Sequence, residues 1–173
     1  MTEQIKETLC HVTGDVLEKL AFIFSFPEEG SEETDYGSSV AASVSFAGPF
    51  TGTLIMAVSN DTLPELTGNM LGLDDNESTT VEQQHDALKE LINVVCGNLL
   101  PVISGRQSIF NVNAPQIITE NIASYLQSLS EENGAAAPFA AKLSLDGGEC
   151  DILLFIKGKF PPEDMGGEVR NEK

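Results

Sequence analysis

An amphipathic helix in the middle of the chain is the feature that most constrains the fold. Between Asp86 and Ser104, apolar side chains recur every three or four residues, which is the spacing of one face of an α-helix. This apolar stripe falls within an arc of roughly 100° and contains Leu88, Leu91, Ile92, Val95, Leu99 and Val102. The sequence therefore predicts a helix from Val81 to about Ser104, with its stripe facing the core and Gly105 as its end.

Four residues on the opposite side of this helix form a single row that faces outward. Asp86, Glu90, Asn93 and Gly97 are spaced four, three and four apart, so they lie within about 60° of one another. A glycine costs a helix interior about 1 kcal/mol relative to alanine, and a partner surface close to the backbone would explain Gly97. The alternative is that Asp86, Glu90 and Asn93 are the solvated face of a surface helix. Spacing alone does not distinguish a row that binds a partner from a solvated helix face.

Two helix-plus-hairpin units organise the chain. A helix from Thr2 to about Phe24 precedes a β-hairpin with strands over 40–46 and 52–58, and the central helix precedes a second hairpin with strands over 139–145 and 150–156. The strands of the two hairpins resemble each other at an offset of 99 residues. We therefore predict an α+β fold in which two similar units, suggestive of a duplication, form one antiparallel sheet carrying two long amphipathic helices.

The remaining segments predict shorter elements. These are a helix over 61–71 with Asp61 as its N-cap, a strand over 110–118 and a helix over 121–129. One domain is expected over 1–160, because 173 residues supply material for a single core. The polar, Gly/Pro-rich tail over 161–173 is expected to be disordered.

Charge and cysteine content exclude several classes of protein. Twenty-seven acidic residues against nine basic ones give a net charge of −18, which repels phosphate backbones and anionic lipids. No stretch approaches the roughly 20 apolar residues of a membrane span, and the N-terminus has no signal pattern. We therefore expect a cytoplasmic protein that binds neither nucleic acid nor membrane. Cys10, Cys96 and Cys150 are widely separated, which indicates neither a disulfide framework nor a zinc site.

The outward row resembles a family signature. Asp86, Glu90 and Asn93 are followed, after 21 intervening residues, by Pro115. This pattern resembles the CheX/CheC/FliY family of chemotaxis response-regulator phosphatases, whose signature is Asp or Ser, three residues, Glu, two residues, Asn, and then 21 or 22 residues to Pro. The stretch TGDVLEKLAFIF and the hairpin around Gly48 also resemble the beginning of that family, so the resemblance covers roughly residues 2–158.

The resemblance implies a CheC-like fold and a function. The chain would dephosphorylate the aspartyl-phosphate of a CheY-like response regulator, with Asn93 positioning a water for in-line attack and Glu90 pairing with the regulator's active-site lysine. Asp86 and Gly97 would support these residues or contact the partner. No cofactor of its own is expected, since the regulator would bind the Mg²⁺. Members of the CheX type form dimers through their sheets, which implies a homodimer here. Pro115 is expected to shape the chain after the helix.

The first helix holds a weaker copy of the pattern. Matching the two long helices through Gly14 and Gly97 places the following residues opposite Asp86, Glu90 and Asn93 in turn: Glu3, Glu7 and Cys10. The first copy keeps the glutamates and loses the asparagine. CheC-type members carry two active sites and CheX-type members one, so the chain most resembles the single-site CheX type.

Two other functions are compatible with the sequence. A non-catalytic module could bind a response regulator, or assemble with itself, without accelerating hydrolysis. A hydrolase could use Glu90 and Asp86 as a general acid and base, although nothing in the sequence pushes their pKa values apart. No motif for a nucleophile of this chain is present.

Overall fold

The computed structural model describes residues 1–29, 34–134, 136–158 and 160, and the predicted tail over 161–173 lies outside them. Helices α1 to α4 span, in order, Thr2–Ala21, Leu63–Leu71, Val81–Ser104 and Ile122–Glu132. Strands β1 to β7 span Ser25–Pro27, Ser39–Ala47, Thr51–Ser59, Asn111–Val112, Gln116–Ile117, Phe139–Leu145 and Gly148–Lys157. A single 3₁₀ turn covers Tyr36–Ser38.

All seven strands form one antiparallel sheet, built around two hairpins. The strand order is β1-β6-β7-β3-β2-β4, and β5 also pairs with β2. The hairpins β2–β3 and β6–β7 meet at the centre of the sheet, where Leu54 pairs with Leu154 and Ile55 with Leu153. The predicted α+β class, with two helix-plus-hairpin units in one antiparallel sheet, is confirmed.

The shared offset of 99 residues does not extend to the strand pairing. Ala41 pairs with Ala57 in the first hairpin, so a constant offset would pair Ala140 with Ile156. Ala140 instead pairs with Leu153. The turn of the second hairpin is also shorter, with two residues between the paired ends rather than three. The two units therefore share an arrangement, but they do not superimpose residue by residue as the sequence suggested.

The sheet separates two layers of helices. On one face, α1, α2 and α3 pack over the main hydrophobic core. On the other face, α4 covers a smaller cluster that includes Ile122, Leu153 and Phe155. The central strands β3 and β7 are buried on both faces, which explains why their sequences are almost continuously apolar. This arrangement leaves the sides of α1 and α3 that face away from the sheet exposed to solvent.

Several boundaries differ from the sequence predictions. Helix α2 begins at Leu63 after Thr62, so Asp61 is not its N-cap. The strand expected over 110–118 is two short strands interrupted at 113–115, where Pro115 lacks the amide hydrogen that a continuous ladder requires. Helix α4 extends to Glu132, past its predicted end at 129.

The sequence prediction missed the edge strand β1. Its three residues pair with β6, from Ser25 opposite Leu145 to Pro27 opposite Leu143. A strand this short has no periodicity of its own, and it forms because β6 offers a free edge. Pro27, which reads as a breaker in the sequence, is tolerated at an edge strand because one side of that strand makes no ladder bonds.

Helix α3 bears on the expectation that no segment could span a membrane, because it is long and apolar. Among the described residues, it is the one helix long and apolar enough to do so by length and composition alone, with a mean hydropathy of 1.3. Half of that segment is buried inside the fold, where it packs against α1 and the sheet. Its hydropathy is therefore that of a core helix.

Candidate functional site

Helix α3 carries the candidate site, and its two ends are fixed by local interactions. The Gln83 backbone N–H donates to Thr80 Oγ1 at 3.1 Å, and the Thr80 backbone N–H donates to Gln83 Oε1 at 2.9 Å. This reciprocal capping box starts the helix. Gly105, at φ 88°, ends it. The predicted span of Val81–Ser104 is confirmed.

The outward row is exposed along its whole length. Asp86, Glu90, Asn93 and Gly97 are all solvent-exposed. Most of the apolar stripe on the opposite side is fully buried, namely Leu88, Leu91, Ile92, Val95 and Leu99. The division of α3 into a core face and an outward face therefore follows the 3.6-residue period over this part of the helix.

Val102 departs from the predicted stripe, because its side chain is 63% exposed. In the last two turns the buried side of α3 shifts to Cys96, Leu100 and Ser104. These residues lie up to about 160° around the helix from Leu88, whereas Val102 lies on the other flank of the stripe. The core-facing side thus rotates along α3, which a straight stripe does not anticipate.

Glu90 and Asn93 lie side by side on the exposed face. At a spacing of three residues, their Cβ atoms are about 5–6 Å apart in an α-helix. Neither side chain forms a hydrogen bond or ion pair with any residue in the described part of the chain. One carboxylate and one carboxamide are therefore both free to contact an incoming molecule.

Asp86 does not bond to Glu90. Its carboxylate forms an ion pair with Lys89 Nζ instead, at 3.3 Å and one helical turn along. Asp86 and Lys89 line a shallow depression of about 590 Å³ together with His85 and Pro115. Pro115 is thus brought beside the N-terminal half of α3. Asp86 therefore does not fix Glu90 through a direct bond.

Two residues that disfavour helices occupy the C-terminal half of the outward face. A Cβ at Gly97 would meet nothing within 4 Å, so packing does not require glycine there. Pro101, four residues on, is also exposed. Relative to alanine, glycine costs a helix interior about 1 kcal/mol and proline about 3 kcal/mol. Both residues therefore reduce the stability of the helix at its exposed face.

The corresponding surface of α1 is different. Glu3 and Glu7 are exposed, but Cys10 is half-buried. All three line a pocket of about 470 Å³ between α1 and β1. A Cβ at Gly14 would come within 2.9 Å of Ser25 Oγ. The strand β1 therefore occupies the space beside Gly14 that is open beside Gly97.

The thiol of Cys10 is not activated as a nucleophile. Burial raises its pKa from the ordinary value of 9.0, Lys6 opposes this effect, and the charge of Glu7 adds to it. A thiol with a raised pKa stays protonated near neutral pH, and the thiolate is the reactive form. Cys10 therefore supplies neither the missing amide nor an alternative covalent route.

Sequence reasoning missed the groove between α1 and α3. The groove has a volume of about 590 Å³. His11 of α1 lies across it from Gly97, Asn98 and Arg106. Only the packing of α1 against α3 brings these residues together, so no local pattern could have indicated them. In the part of the chain that the structure describes, no group of three or more His, Cys, Asp or Glu residues is arranged to hold a metal ion.

A protein-family model matches more than half of the chain. The family model described as "Chemotaxis phosphatase CheX" matches residues 40–139. The match includes the whole outward row of α3 and Pro115. No significant match to a curated protein was found.

Solved structures of chemotaxis proteins share the fold. CheX from Vibrio vulnificus has a TM-score of 0.67 at 14% identity, over 91% of this chain and 99% of that one. The CheX–CheY–BeF₃–Mg²⁺ complex from Borrelia burgdorferi has a TM-score of 0.64 at 21% identity, over 88% of this chain and 97% of that one. FliY from Thermotoga maritima has a TM-score of 0.57 at 14% identity, over 95% of this chain and 93% of that one. These likenesses lie in the fold, since the identities are low.

Proposed function

Because the chain belongs to the chemotaxis phosphatase CheX family, we propose that it hydrolyses the aspartyl-phosphate of a CheY-like response regulator. One observation carries this proposal. Glu90 and Asn93 are neighbours on an exposed helix face, within the region that the family matches, and neither side chain is engaged by the described part of the chain. Such a face can enter a pocket on another protein.

The chemistry requires little more than a positioned water. An aspartyl-phosphate is a reactive acyl phosphate, so orienting a water in line with the bond to the leaving carboxylate supplies much of the catalysis. The Asn93 carboxamide can accept a hydrogen bond from that water through its oxygen and donate through its nitrogen. The water oxygen bonds to phosphorus, the bond to the aspartyl oxygen breaks, and the water proton leaves to solvent or to the phosphate.

Glu90 has a different role in this proposal. A carboxylate at the place of Asn93 would be repelled by the phosphoryl oxygens, but one helical turn away it can pair with a lysine of the regulator's active site. Glu90 thereby sets the depth and orientation of docking. Asp86, paired with Lys89, lies at the rim of the interface, and Gly97 lets the partner approach the helix backbone.

The CheX relative from Borrelia burgdorferi was crystallised as a complex with CheY, BeF₃ and Mg²⁺. This supports a CheY-like regulator as the partner. It also supports a division of labour in which the regulator binds the Mg²⁺ and this chain contributes no cofactor. We further place the protein in the cytoplasm, where response regulators act.

A phosphate-release assay tests the proposal. A CheY-like receiver domain, phosphorylated with acetyl phosphate in Mg²⁺ and freed of excess donor, should lose its phosphoryl group faster when catalytic amounts of this protein are added. If the protein binds the phosphorylated domain without accelerating the loss, it is the non-catalytic binding module instead. A general acid and base mechanism through Glu90 and Asp86 is disfavoured, because the Asp86 carboxylate is paired with Lys89.

Restoring the missing amide on α1 should not create a second site. In the variant Cys10→Asn combined with Asn93→Ala, we expect the dephosphorylation rate to stay at that of Asn93→Ala alone. The reason is that β1 lies against α1 at Gly14, so a receiver domain cannot approach as it can at Gly97. The same assay, run with both variants, measures the difference. Recovery of even a tenth of wild-type activity would show that the first face is accessible.

We also infer that the protein forms a homodimer through the free edge of β1. Phe22, Phe24 and Phe26 are each about 70% exposed, and no strand pairs with the outer side of β1 within the described residues. Pro27 has no amide hydrogen to offer at this edge, so we infer that the exposed aromatic side chains, and not strand pairing, carry the contact. Two copies related by a two-fold axis would each present the same edge, which makes the contact self-complementary.

The variant Phe26→Asp should dissociate this dimer. A carboxylate would be brought close to its symmetry mate and would lose water on association. We expect the molar mass measured by light scattering to fall from two chains to one, while phosphatase activity per chain is unchanged because α3 is not involved. Ile109→Asp, at a still more exposed apolar side chain near the opposite edge of the sheet, is the control and should stay dimeric.

A further inference from the structure

The backbone carbonyl of Gly97 lacks its helical hydrogen-bond partner. In an α-helix this carbonyl accepts from the N–H of residue 101. Residue 101 is a proline, which has no N–H. Gly97 is solvent-exposed and has no side chain to cover its own carbonyl. A backbone acceptor is therefore left free on the outward face of α3, one turn beyond Asn93.

Three other carbonyls near the end of α3 have donors. Ser104 Oγ donates to the carbonyl of Leu100, and the backbone N–H of Gly105 donates to that of Pro101 at 3.0 Å. Ser108 Oγ donates to the carbonyl of Ser104 at 2.8 Å. No side chain in the described part of the chain donates to the carbonyl of Gly97. Gly97 lies seven residues before the end of α3, so its unpaired acceptor arises from Pro101 and not from fraying of the helix end.

We propose that the carbonyl of Gly97 accepts a hydrogen bond from an N–H donor on the docked response regulator. This rests on the proposed function and extends the regulator's footprint from Glu90 and Asn93 into the groove between α1 and α3. Pro101 has a specific part in it, since it removes the internal donor. Gly97 leaves the acceptor uncovered.

Continuity with the site identifies the occupant as the regulator. Gly97 and Pro101 continue the row of Glu90 and Asn93 at helical spacing, so they are the next exposed positions along α3 for a protein docked on Asn93. The groove beyond is open and is lined on its far side by His11 and Asp15 of α1. Asp15 is itself paired with Lys19 at 2.9 Å, and Arg106 also lines the groove, so the charges of the groove do not select the partner group. A carbonyl oxygen only accepts, and it therefore requires an N–H or O–H donor.

Two substitutions test the acceptor in different ways. Pro101→Ala returns an N–H to the helix, so the carbonyl of Gly97 becomes internally bonded without any added bulk. Gly97→Ala leaves the carbonyl free but places a methyl group beside it. We expect each variant to raise KM for the phosphorylated receiver domain about tenfold, the loss associated with one hydrogen bond to a charged group. We expect kcat to change less than twofold, because Asn93 is untouched.

Thermal unfolding separates this effect from damage to the fold. Gly97→Ala should raise Tm by about 2–4 °C because it improves the helix, and Pro101→Ala should raise it as well. Gly68→Ala in α2 is the matched control, since a Cβ there also meets nothing within 4 Å, and it should change Tm without changing KM. Wild-type KM in Pro101→Ala, with wild-type protein active, would overturn the acceptor and leave the phosphatase proposal standing. Inactive wild-type protein would instead overturn the proposed function.

Discussion

Replacing Asn93 with alanine should slow dephosphorylation of the response regulator by about 100-fold or more, the cost of losing the group that orients a reacting water. At 1.36 kcal/mol for each factor of ten, this is about 2.7 kcal/mol of transition-state stabilisation. Binding should be retained, because the side chain removed is small and exposed and Glu90 remains. Single-turnover decay of the phosphorylated receiver domain, measured with the variant in excess, gives the rate. Titration of the same domain, held in its active form by beryllofluoride and Mg²⁺, gives the affinity.

Asn93→Asp sharpens the test, because it keeps the size of the side chain and replaces the amide by a carboxylate. We expect it to be at least as slow as Asn93→Ala, since a negative group would face the phosphoryl oxygens. Gln127→Ala is the control, as it removes an exposed amide from α4 on the opposite face of the sheet, and it should have wild-type activity. Full activity in Asn93→Ala would eliminate the catalytic role and leave only the binding module.

The central helix was predictable from the sequence because every signal that defines it is local. The capping residues Thr80 and Gln83, the apolar stripe and the terminal Gly105 all lie within the helix or next to it. The two hairpins were predictable for a similar reason, since runs of β-forming residues flank short turns. These elements also fix the fold class, because two hairpins and two long amphipathic helices bury their apolar surfaces most readily as a sheet covered by helices.

The features that the sequence did not predict depend on partners far along the chain. The strand β1 exists because β6 accepts it, and the exposure of Val102 reflects a rotation of the buried side of α3. The interruption at Pro115 splits a predicted strand into two short pieces that still pair with β2. In each case a tertiary contact or a single backbone group outweighs the local pattern.

The candidate site also combines features set by local sequence with features set by distant parts of the chain. The exposure of Glu90, Asn93 and Gly97 follows from helical spacing alone, and it needed no tertiary information. The closure of the surface around Gly14 did need it, because Ser25 reaches Gly14 only through the pairing of β1 with the sheet. The free carbonyl of Gly97 is predictable only in part from the sequence. A glycine four residues before an interior proline is visible in the sequence, but only the exposure of both residues shows that the acceptor faces outward.

Reversing the charge of Glu90 should abolish productive docking. In Glu90→Lys, an ammonium group would face the lysine that Glu90 is proposed to bind, which replaces an attraction by a repulsion inside a partly desolvated interface. Truncation of one member of such a pair commonly weakens binding by a factor of about 30 to several thousand, and we expect the reversal to raise KM at least about 100-fold. The rate at saturating regulator, where it can be reached, should fall much less, because Asn93 is unchanged. Steady-state phosphate release over a wide range of regulator concentration separates KM from kcat.

Net charge is the confounding variable, since Glu90→Lys also makes a chain of charge −18 less acidic by two units. Glu18→Lys on α1 makes the same change at an exposed position away from α3, and near the C-terminus of its helix a cation is favourable. Long-range electrostatics predicts equal effects for the two variants, with both reduced by added salt. A specific ion pair predicts that Glu18→Lys behaves as wild type and that Glu90→Lys alone fails. It also predicts that a receiver domain whose active-site lysine is changed to glutamate binds Glu90→Lys more tightly than the unchanged domain does. If Glu90→Lys binds both domains equally weakly, direct contact between the two residues is ruled out.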